Sequence, residues 1–164
     1  MMVESNLQVV SFEAFYRAEY RSMVALAAAV SGVQSVAEDI AQEALAVAHR
    51  EWVTICEYEK PGTWLRRATI NRALNVRRSR FRESRALFRM RPSADVEDVH
   101  EDDDVWQAVK SLPPQQRAAI ALFYLEDRPI AEIAEILGCA PNTAKAHLHY
   151  GRQALAIALE ARHE

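Results

Sequence analysis

The chain contains 164 residues, of which 50% are hydrophobic, and its formal net charge is −3 at pH 7. This composition predicts a packed core and excludes a globally disordered protein. Glycine and proline are scarce, while alanine, leucine, glutamate and arginine are abundant, so we expect an all-α fold.

The sequence lacks the marks of membrane proteins and of most enzymes. The longest apolar run, residues 23–30, is too short to cross a bilayer, so we expect a cytoplasmic protein without membrane insertion. Cys56 and Cys139 lie far apart, without metal-ligand spacing, which suits a reducing compartment. The sequence contains no nucleotide-binding loop, metal cluster or nucleophile–base constellation. We therefore expect no cofactor, no metal and no catalytic activity.

Two amphipathic helices are predicted in the first third of the chain. The first is capped by Ser11, runs from residue 12 to about residue 30 and ends at Gly32. The second runs from residue 36 to about residue 52, after a capping box formed by Ser35 and Glu38. The positions expected in the core are Phe12, Phe15, Tyr16, Tyr20, Met23, Leu26 or Ala27, and then Ile40, Ala44, Val47 and Ala48.

Four polar residues of the second helix, Glu38, Asp39, Gln42 and Glu43, lie mostly away from its apolar side. They are available to water or to a partner, and the pattern alone favours a solvated face. Residues 54–63 are predicted to form a loop, punctuated by Pro61 and Gly62.

A strongly basic helix is predicted from Trp64 to between residues 84 and 89. Residues 64–91 contain ten arginines and one acid, a local charge of about +9, which favours a polyanionic partner. Helical spacing places an aromatic ring, two amides and two guanidiniums on one face, which could stack on bases and contact phosphates. A solvated helix with a basic side is the alternative. The residues of the face predicted to bind nucleic acid are Trp64, Ala68, Asn71, Asn75, Arg78 and Arg82. The residues of this helix expected to pack in the core, called its core seam, are Ile70, Leu74 and Phe81.

An acidic linker, residues 92–104, is predicted to separate two domains. Seven acids occur between Asp95 and Asp104, without lysine or arginine, so we expect a flexible segment. The domains then comprise residues 1–91 and residues 105–164.

The second domain has the pattern of a helix-turn-helix. After a short helix, Pro114 begins a longer one, Gly138 ends the next, and Pro141 begins the last. The last helix is predicted to direct an outward stripe into a DNA major groove. A helical hairpin that binds nothing is the alternative. The inward positions of the last helix are Ala144, Leu148, Gly151 and Leu155. The outward stripe of the last helix is Asn142, Lys145, Ala146, His149 and Gln153.

Taken together, the basic helix, the acidic linker and the helix-turn-helix resemble a bacterial sigma factor of the sigma-70 family, in its extracytoplasmic-function (ECF) group. The resemblance covers residues 12–158. AEDIAQEALAVAHR (residues 37–50) is similar to the helix that binds the polymerase clamp, and TWLRRATINRALNVRRSR (residues 63–80) to the helix that melts and reads the −10 element. LPPQQRAAIALFYLED (residues 112–127) and IAEIAEILGCAPNTAKAHLHYGRQAL (residues 130–155) are similar to the domain that binds the −35 element.

This resemblance implies a promoter-specificity subunit made of sigma domains 2 and 4. The implied partners are promoter DNA, RNA polymerase core, through its largest-subunit clamp helices and its second-largest subunit, and an anti-sigma factor. The polymerase contact falls on Glu38, Asp39, Gln42 and Glu43. The −10 contacts fall on Tyr58, Trp64, Arg67, Asn71, Asn75, Arg78 and Arg82. The −35 contacts fall on Asn142, Thr143, Lys145, Ala146, His149 and Arg152.

The last helix departs from the family pattern. His147 and Tyr150 replace the usual arginines, and Asn142 replaces a glycine. Ala140 replaces the usual serine cap, at a cost of ~1 kcal/mol. We therefore expect modest −35 binding, which strengthens as the pH falls through ~6.5 if a histidine faces phosphate. Metal binding by His147 and His149 is disfavoured, because positions two apart on a helix point in different directions.

Two other functions remain open on the sequence alone. A helix-turn-helix regulator would bind a palindrome as a dimer without polymerase, and a sigma-like decoy would bind a regulator without supporting transcription. Mixing the protein with core polymerase on a sizing column separates the first alternative from a sigma factor.

Overall fold

The computed structural model describes residues 11–88 and 104–162, and within these ranges it contains helices and no strand. The predicted all-α class is confirmed. Most of the predicted linker lies outside the described residues. The helices are α1 (Phe12–Ser31), α2 (Ala37–Arg50), α3 (Trp52–Ile55), α4 (Pro61–Phe88), α5 (Asp104–Lys110), α6 (Pro114–Glu126), α7 (Ile130–Leu137) and α8 (Pro141–Arg162), with a 3-10 turn at Gln34–Val36.

The first domain packs α1, α2 and α4 around one core. The start of α1 is as predicted, because the Ser11 Oγ accepts a hydrogen bond from the Ala14 N–H at 3.2 Å. Its end is also as predicted: Gly32 adopts a left-handed conformation with φ 74°, which a side chain would strain. Met23, Leu26, Ile40, Leu45 and Leu65 are buried in this core.

Three local predictions for the first domain are wrong. No side chain caps α2, which follows the 3-10 turn directly, so Ser35 and Glu38 do not form the predicted capping box. The predicted loop, residues 54–63, contains the last two residues of α3, and α4 begins at Pro61, where the fixed φ of proline suits a first helical turn. Phe81 is 64% exposed, because residues 81–86 of α4 extend beyond the packed part of the domain.

The second domain packs α6, α7 and α8 as the predicted helix-turn-helix, with α5 against α8. Pro114 begins α6, and Gly138 ends α7 with φ 67°. Gly151 allows a short distance between α8 and α6. A Cβ on Gly151 would lie 2.9 Å from Ile120 Cγ1, so the absence of a side chain allows the two helices to pack closely.

The two domains also pack against each other. α1 contacts α5 and α6, and α4 contacts α7. The buried apolar residues of both domains, from Met23 and Leu65 to Leu112 and Leu122, form one continuous cluster. The described helices therefore share a core, although the sequence pattern divides them into two units.

Candidate nucleic-acid interface

The predicted −10 residues lie along one side of α4 and just before it. Asn71, Asn75, Arg78 and Arg82 are exposed, and Trp64 is partly buried at the near end. Tyr58, in the short segment before α4, is 45% exposed. We call Trp64, Arg67, Asn71, Asn75, Arg78 and Arg82 the −10 face. This face combines flat apolar surface, amides and cations, which are the groups that bind unpaired nucleic acid.

Arg67 belongs to this face but is held by the second domain. Its Nε donates to the Ile136 carbonyl at 3.2 Å, and its Nη2 donates to the Glu135 carbonyl. Both carbonyls lie in the last turn of α7, where helix geometry leaves acceptors without intrahelical partners. A guanidinium predicted to contact DNA is therefore bound by a helix C-terminus.

Arg66 is a structural residue. It is buried, its Nη2 lies 2.8 Å from Glu19 Oε2, and its Nε lies 2.6 Å from Glu126 Oε2 in the second domain. Burial alone would lower the pKa of Arg66, but the hydrogen bonds and negative charges of Glu126 and Glu19 raise it above its ordinary value. Arg66 thus connects α1, α4 and α6.

Arg77 and Arg117 perform a similar role at the end of α1. Arg77 donates to the Ser31 carbonyl at 3.3 Å and to the Lys110 carbonyl at 2.5 Å, and burial lowers its pKa. Arg117 is fully buried and donates to the Val30 carbonyl at 2.7 Å and to the Leu112 carbonyl at 2.8 Å. Arg77, one of the ten arginines of residues 64–91, is therefore engaged inside the protein.

A sequence signal could have separated these arginines from the others. Arg66 and Arg77 follow the spacing of the core seam through Ile70 and Leu74, at steps of four, four and three. Arg78 and Arg82 follow the spacing of Asn71 and Asn75 instead. The count of ten arginines concealed this difference.

The predicted −35 residues lie mainly on the outward side of α8. Asn142, Thr143, Lys145 and His149 are exposed, and Ala146 is partly buried. The Arg152 Nε donates to the Tyr124 hydroxyl at 2.9 Å, and its guanidinium lies 4.7 Å from the centre of the Phe123 ring. Arg152 is thus exposed but oriented by α6, unlike the other members of this group.

The predicted polymerase contact is an exposed patch on α2. Glu38, Asp39, Gln42 and Glu43 are all exposed, and Gln42 Nε2 donates to the Tyr16 hydroxyl at 3.0 Å. Tyr16 stacks on Tyr20 with ring centroids 5.3 Å apart, so α1 extends the patch with aromatic surface.

A cleft of about 650 Å³ lies beside the contact between α7 and the end of the −10 face that contains Trp64 and Arg67. Tyr58, Trp64 and Arg67 line it from the first domain, and Glu135 and Cys139 line it from the second. Within the described ranges, no His, Cys, Asp and Glu side chains form a group that could hold a metal ion. None of the described helices could span a bilayer.

Comparison with known proteins identifies the family. Residues 15–83 match the family model for sigma-70 region 2, and residues 102–155 match the model for sigma-70 region 4. The ECF RNA polymerase sigma factor SigM of Mycobacterium tuberculosis is 30% identical over 156 residues, covering 89% of this chain and 76% of SigM. The chain belongs to the ECF sigma factors of the sigma-70 family. The family consists of transcription initiation factors rather than enzymes.

Other similar proteins agree with this assignment. SigE of Mycolicibacterium smegmatis is 35% identical over 153 residues, covering 85% of this chain and 55% of SigE. The fold of this ECF sigma factor is shared with RpoE of Bartonella quintana, solved in complex with the anti-sigma factor NepR (TM-score 0.73, 23% identity, 91% of this chain and 96% of RpoE). It is also shared with CnrH, solved with the cytosolic domain of CnrY (TM-score 0.64, 20% identity, 94% of each chain).

Proposed function

We propose that this ECF sigma factor directs core RNA polymerase to promoters with a separate contact surface on each of α2, α4 and α8. In this proposal, the first domain, residues 1–91, binds polymerase and the −10 element, and the second, residues 105–164, binds the −35 element. Residues 92–104 connect them. The observation that carries the proposal is the exposed row of Asn71, Asn75, Arg78 and Arg82 on α4.

The −10 face suits an unpaired strand better than a duplex. Asn71 and Asn75 are one helical turn apart and exposed, so their amides can hydrogen-bond to the edges of splayed bases. The Trp64 and Tyr58 rings border the cleft and can stack on bases, at about 1–3 kcal/mol per base. Arg78 and Arg82 can hold the phosphates. Binding energy of this kind offsets the unpairing of the duplex, so the protein needs no catalytic group of its own.

The outward side of α8 suits the major groove of a duplex. Asn142 and Lys145 lie in its first turns, where a recognition helix contacts base edges. Thr143, Ala146 and His149 extend this surface, and Arg152 contributes a cation that Tyr124 orients. With one lysine and one arginine on this helix side, we expect weaker phosphate attraction than on α4.

Glu38, Asp39, Gln42 and Glu43 are proposed to contact the clamp helices of the largest polymerase subunit. Their charge would accelerate encounter with a basic surface. The second-largest subunit and an anti-sigma factor complete the proposed partners; the complex of RpoE with NepR supports the latter. We place this protein in the cytoplasm, where the polymerase acts.

Transcription with reconstituted holoenzyme tests the division of labour between α4 and α8. Each amide contact to a base contributes about 1–3 kcal/mol, so Asn71→Ala with Asn75→Ala should reduce open complexes on the order of tenfold or more. Binding to a −35 duplex should not change. Asn142→Ala with Lys145→Ala is the matched variant, and it should reduce −35 binding while leaving melting of a preformed −10 bubble intact. Equal transcription by the Asn71/Asn75 variant and the wild type would contradict the proposal.

A further inference from the structure

We propose that Tyr16 is a positioning residue for polymerase binding. Its hydroxyl holds the Gln42 side chain so that Gln42 turns its carbonyl oxygen outward, as an acceptor for a guanidinium of the partner. This role rests on the proposed function of α2 as the polymerase contact. It adds a residue of α1 to that contact and specifies the chemical group that the contact recognises.

The hydrogen bond between α1 and α2 decides which end of the Gln42 amide a partner meets. A glutamine side chain ends in one acceptor and one donor, which branch from the same carbon. Gln42 Nε2 donates to the Tyr16 hydroxyl at 3.0 Å, and Gln42 is exposed. Because the nitrogen is turned towards α1, the carbonyl oxygen Oε1 is the end that a partner meets.

The Tyr16 ring is held by its neighbours on α1. Helical spacing places Phe12, Tyr16 and Tyr20 on one side of α1, at intervals of four residues. Tyr16 stacks on Tyr20 with an interplanar angle of 12°, and its centroid lies 6.1 Å from that of Phe12. Phe12 in turn packs edge-on against Trp52, with centroids 5.6 Å apart. A partly buried ring with a ring on either side has little rotational freedom, so its hydroxyl keeps a fixed position beside α2.

An acceptor without charge suits position 42 of α2. Gln42 lies four residues after Glu38 and three after Asp39, and Glu43 follows it directly. Like charges at spacings of three and four on a helix repel each other, so a further carboxylate here would destabilise α2. The carboxamide oxygen supplies the hydrogen-bonding character of a carboxylate without its charge. Held by Tyr16, it makes the exposed patch acceptor throughout.

This surface suits an arginine of the partner better than a lysine. A guanidinium carries several donors in one plane, so it can donate to Gln42 Oε1 and to a neighbouring carboxylate together. Its flat face can also stack on an aromatic ring, and the partly buried Tyr20 ring lies beside Tyr16. An ammonium is a compact point charge without such a face. We therefore expect an arginine of the polymerase to contact α1 and α2 at this point.

A double-mutant cycle with core polymerase tests the positioning role. Tyr16→Phe keeps the ring and removes the hydroxyl, so Gln42 loses its support. A hydrogen bond of this kind changes an equilibrium constant about threefold to tenfold, and we expect the full chain to bind core polymerase more weakly by that factor. In a Gln42→Ala background, Tyr16→Phe should have no further effect. Equal losses in both backgrounds would show that Tyr16 acts independently of Gln42 and would refute the proposal.

Gln42→Glu determines which end of the amide the partner meets. A carboxylate is an acceptor at both oxygens, so it can accept from the Tyr16 hydroxyl and still present an oxygen outward. We expect Gln42→Glu to bind core polymerase at least as tightly as the wild type. Loss of binding would show that the partner meets the amide nitrogen, and the proposal would fall. This variant keeps Tyr16, so the test does not depend on the folding of Tyr16→Phe.

Rescue separates positioning from a merely structural role. Gln42→Glu should restore the affinity that Tyr16→Phe loses, because a carboxylate presents an oxygen without the support of Tyr16. Ala46→Glu is the matched control: it adds the same charge one turn further along α2, at an exposed position, and should not restore binding. Equal restoration by both variants would mean that charge alone is recognised, against the proposal.

One further variant distinguishes failure of this role from failure of the proposed function. Asp39→Ala with Glu43→Ala removes two carboxylates of the patch and leaves the pair of Tyr16 and Gln42 in place. If this variant binds core polymerase as the wild type does, α2 is not the contact and the proposed function fails. If it binds weakly while Tyr16→Phe binds normally, the α2 contact stands and the role of Tyr16 is refuted.

Discussion

The two helices proposed to contact DNA, α4 and α8, differ in how their cations are held. On α4, arginines on the core side bind carbonyls and carboxylates within the protein, whereas Arg78 and Arg82 are exposed. On α8, the cations are few, and Arg152 is oriented by two aromatic rings of its own domain. Chemically similar side chains thus stabilise the fold at one position and remain available to a ligand three or four residues away. The position of a cation on its helix decides its role, rather than the local charge.

The largest effect expected from this comparison is on stability. Arg117→Met leaves the Val30 and Leu112 carbonyls buried without donors, so we expect the free energy of unfolding to fall by about 3 kcal/mol, at roughly 1–3 kcal/mol per orphaned group less the regained desolvation. Denaturant titration of the full chain measures it. Arg78→Met, at an exposed position, is the matched control and should stay within about 0.5 kcal/mol. A more stable Arg117→Met variant would mean that the desolvation of this guanidinium outweighs its hydrogen bonds.

A smaller effect is expected on the salt dependence of DNA binding. Each phosphate contact to single-stranded DNA contributes about 0.7 to the slope of log K against log salt. Arg78→Ala with Arg82→Ala should therefore reduce the slope for holoenzyme on a bubble template by about 1.4. Arg77→Ala, one position away, should leave the slope unchanged, because Arg77 donates to protein carbonyls in the free protein. A lower slope for the Arg77 variant would show that this arginine moves to phosphate in the holoenzyme.

The smallest expected effect concerns Arg152 on α8. Tyr124→Phe removes the hydroxyl that accepts from Arg152 Nε and keeps the ring. Because an exposed hydrogen bond contributes about 0.5 kcal/mol, we expect −35 duplex binding to weaken about twofold, with stability unchanged. Fluorescence anisotropy with a labelled duplex resolves this difference. Tighter binding would instead show that Tyr124 holds Arg152 away from DNA.

Much of the secondary structure was predictable because its signals are local. Ser11 and Gly32 mark the two ends of α1, and Pro114 begins α6. Gly138 and Pro141 flank the turn of the helix-turn-helix. The two failures at helix starts have local causes as well. Ser35 lies in a 3-10 turn that leads into α2, and Pro61 begins α4 rather than punctuating a loop.

The packing of the two domains was not predictable in the same way. It depends on Arg66 and Glu126, which are 60 positions apart in the chain, and on carbonyl acceptors that sequence patterns do not reveal. Helical spacing predicts Phe81 in the core, because the apolar spacing of α4 continues beyond the point where the neighbouring helices end. Periodicity identifies the apolar side of a helix, but the length over which that side is covered depends on the tertiary structure.

The contacts made by Arg67 and Arg77 have a consequence for how the protein searches inside a cell. A genome offers about 10⁶–10⁹ non-specific sites, and an exposed row of arginines would keep a sigma factor bound to them. With these two guanidiniums bound to helix ends, the free chain presents less positive charge to DNA, while its acidic patch on α2 remains exposed. We therefore expect the free protein to be held by non-specific DNA less than a protein with all of these arginines exposed would be.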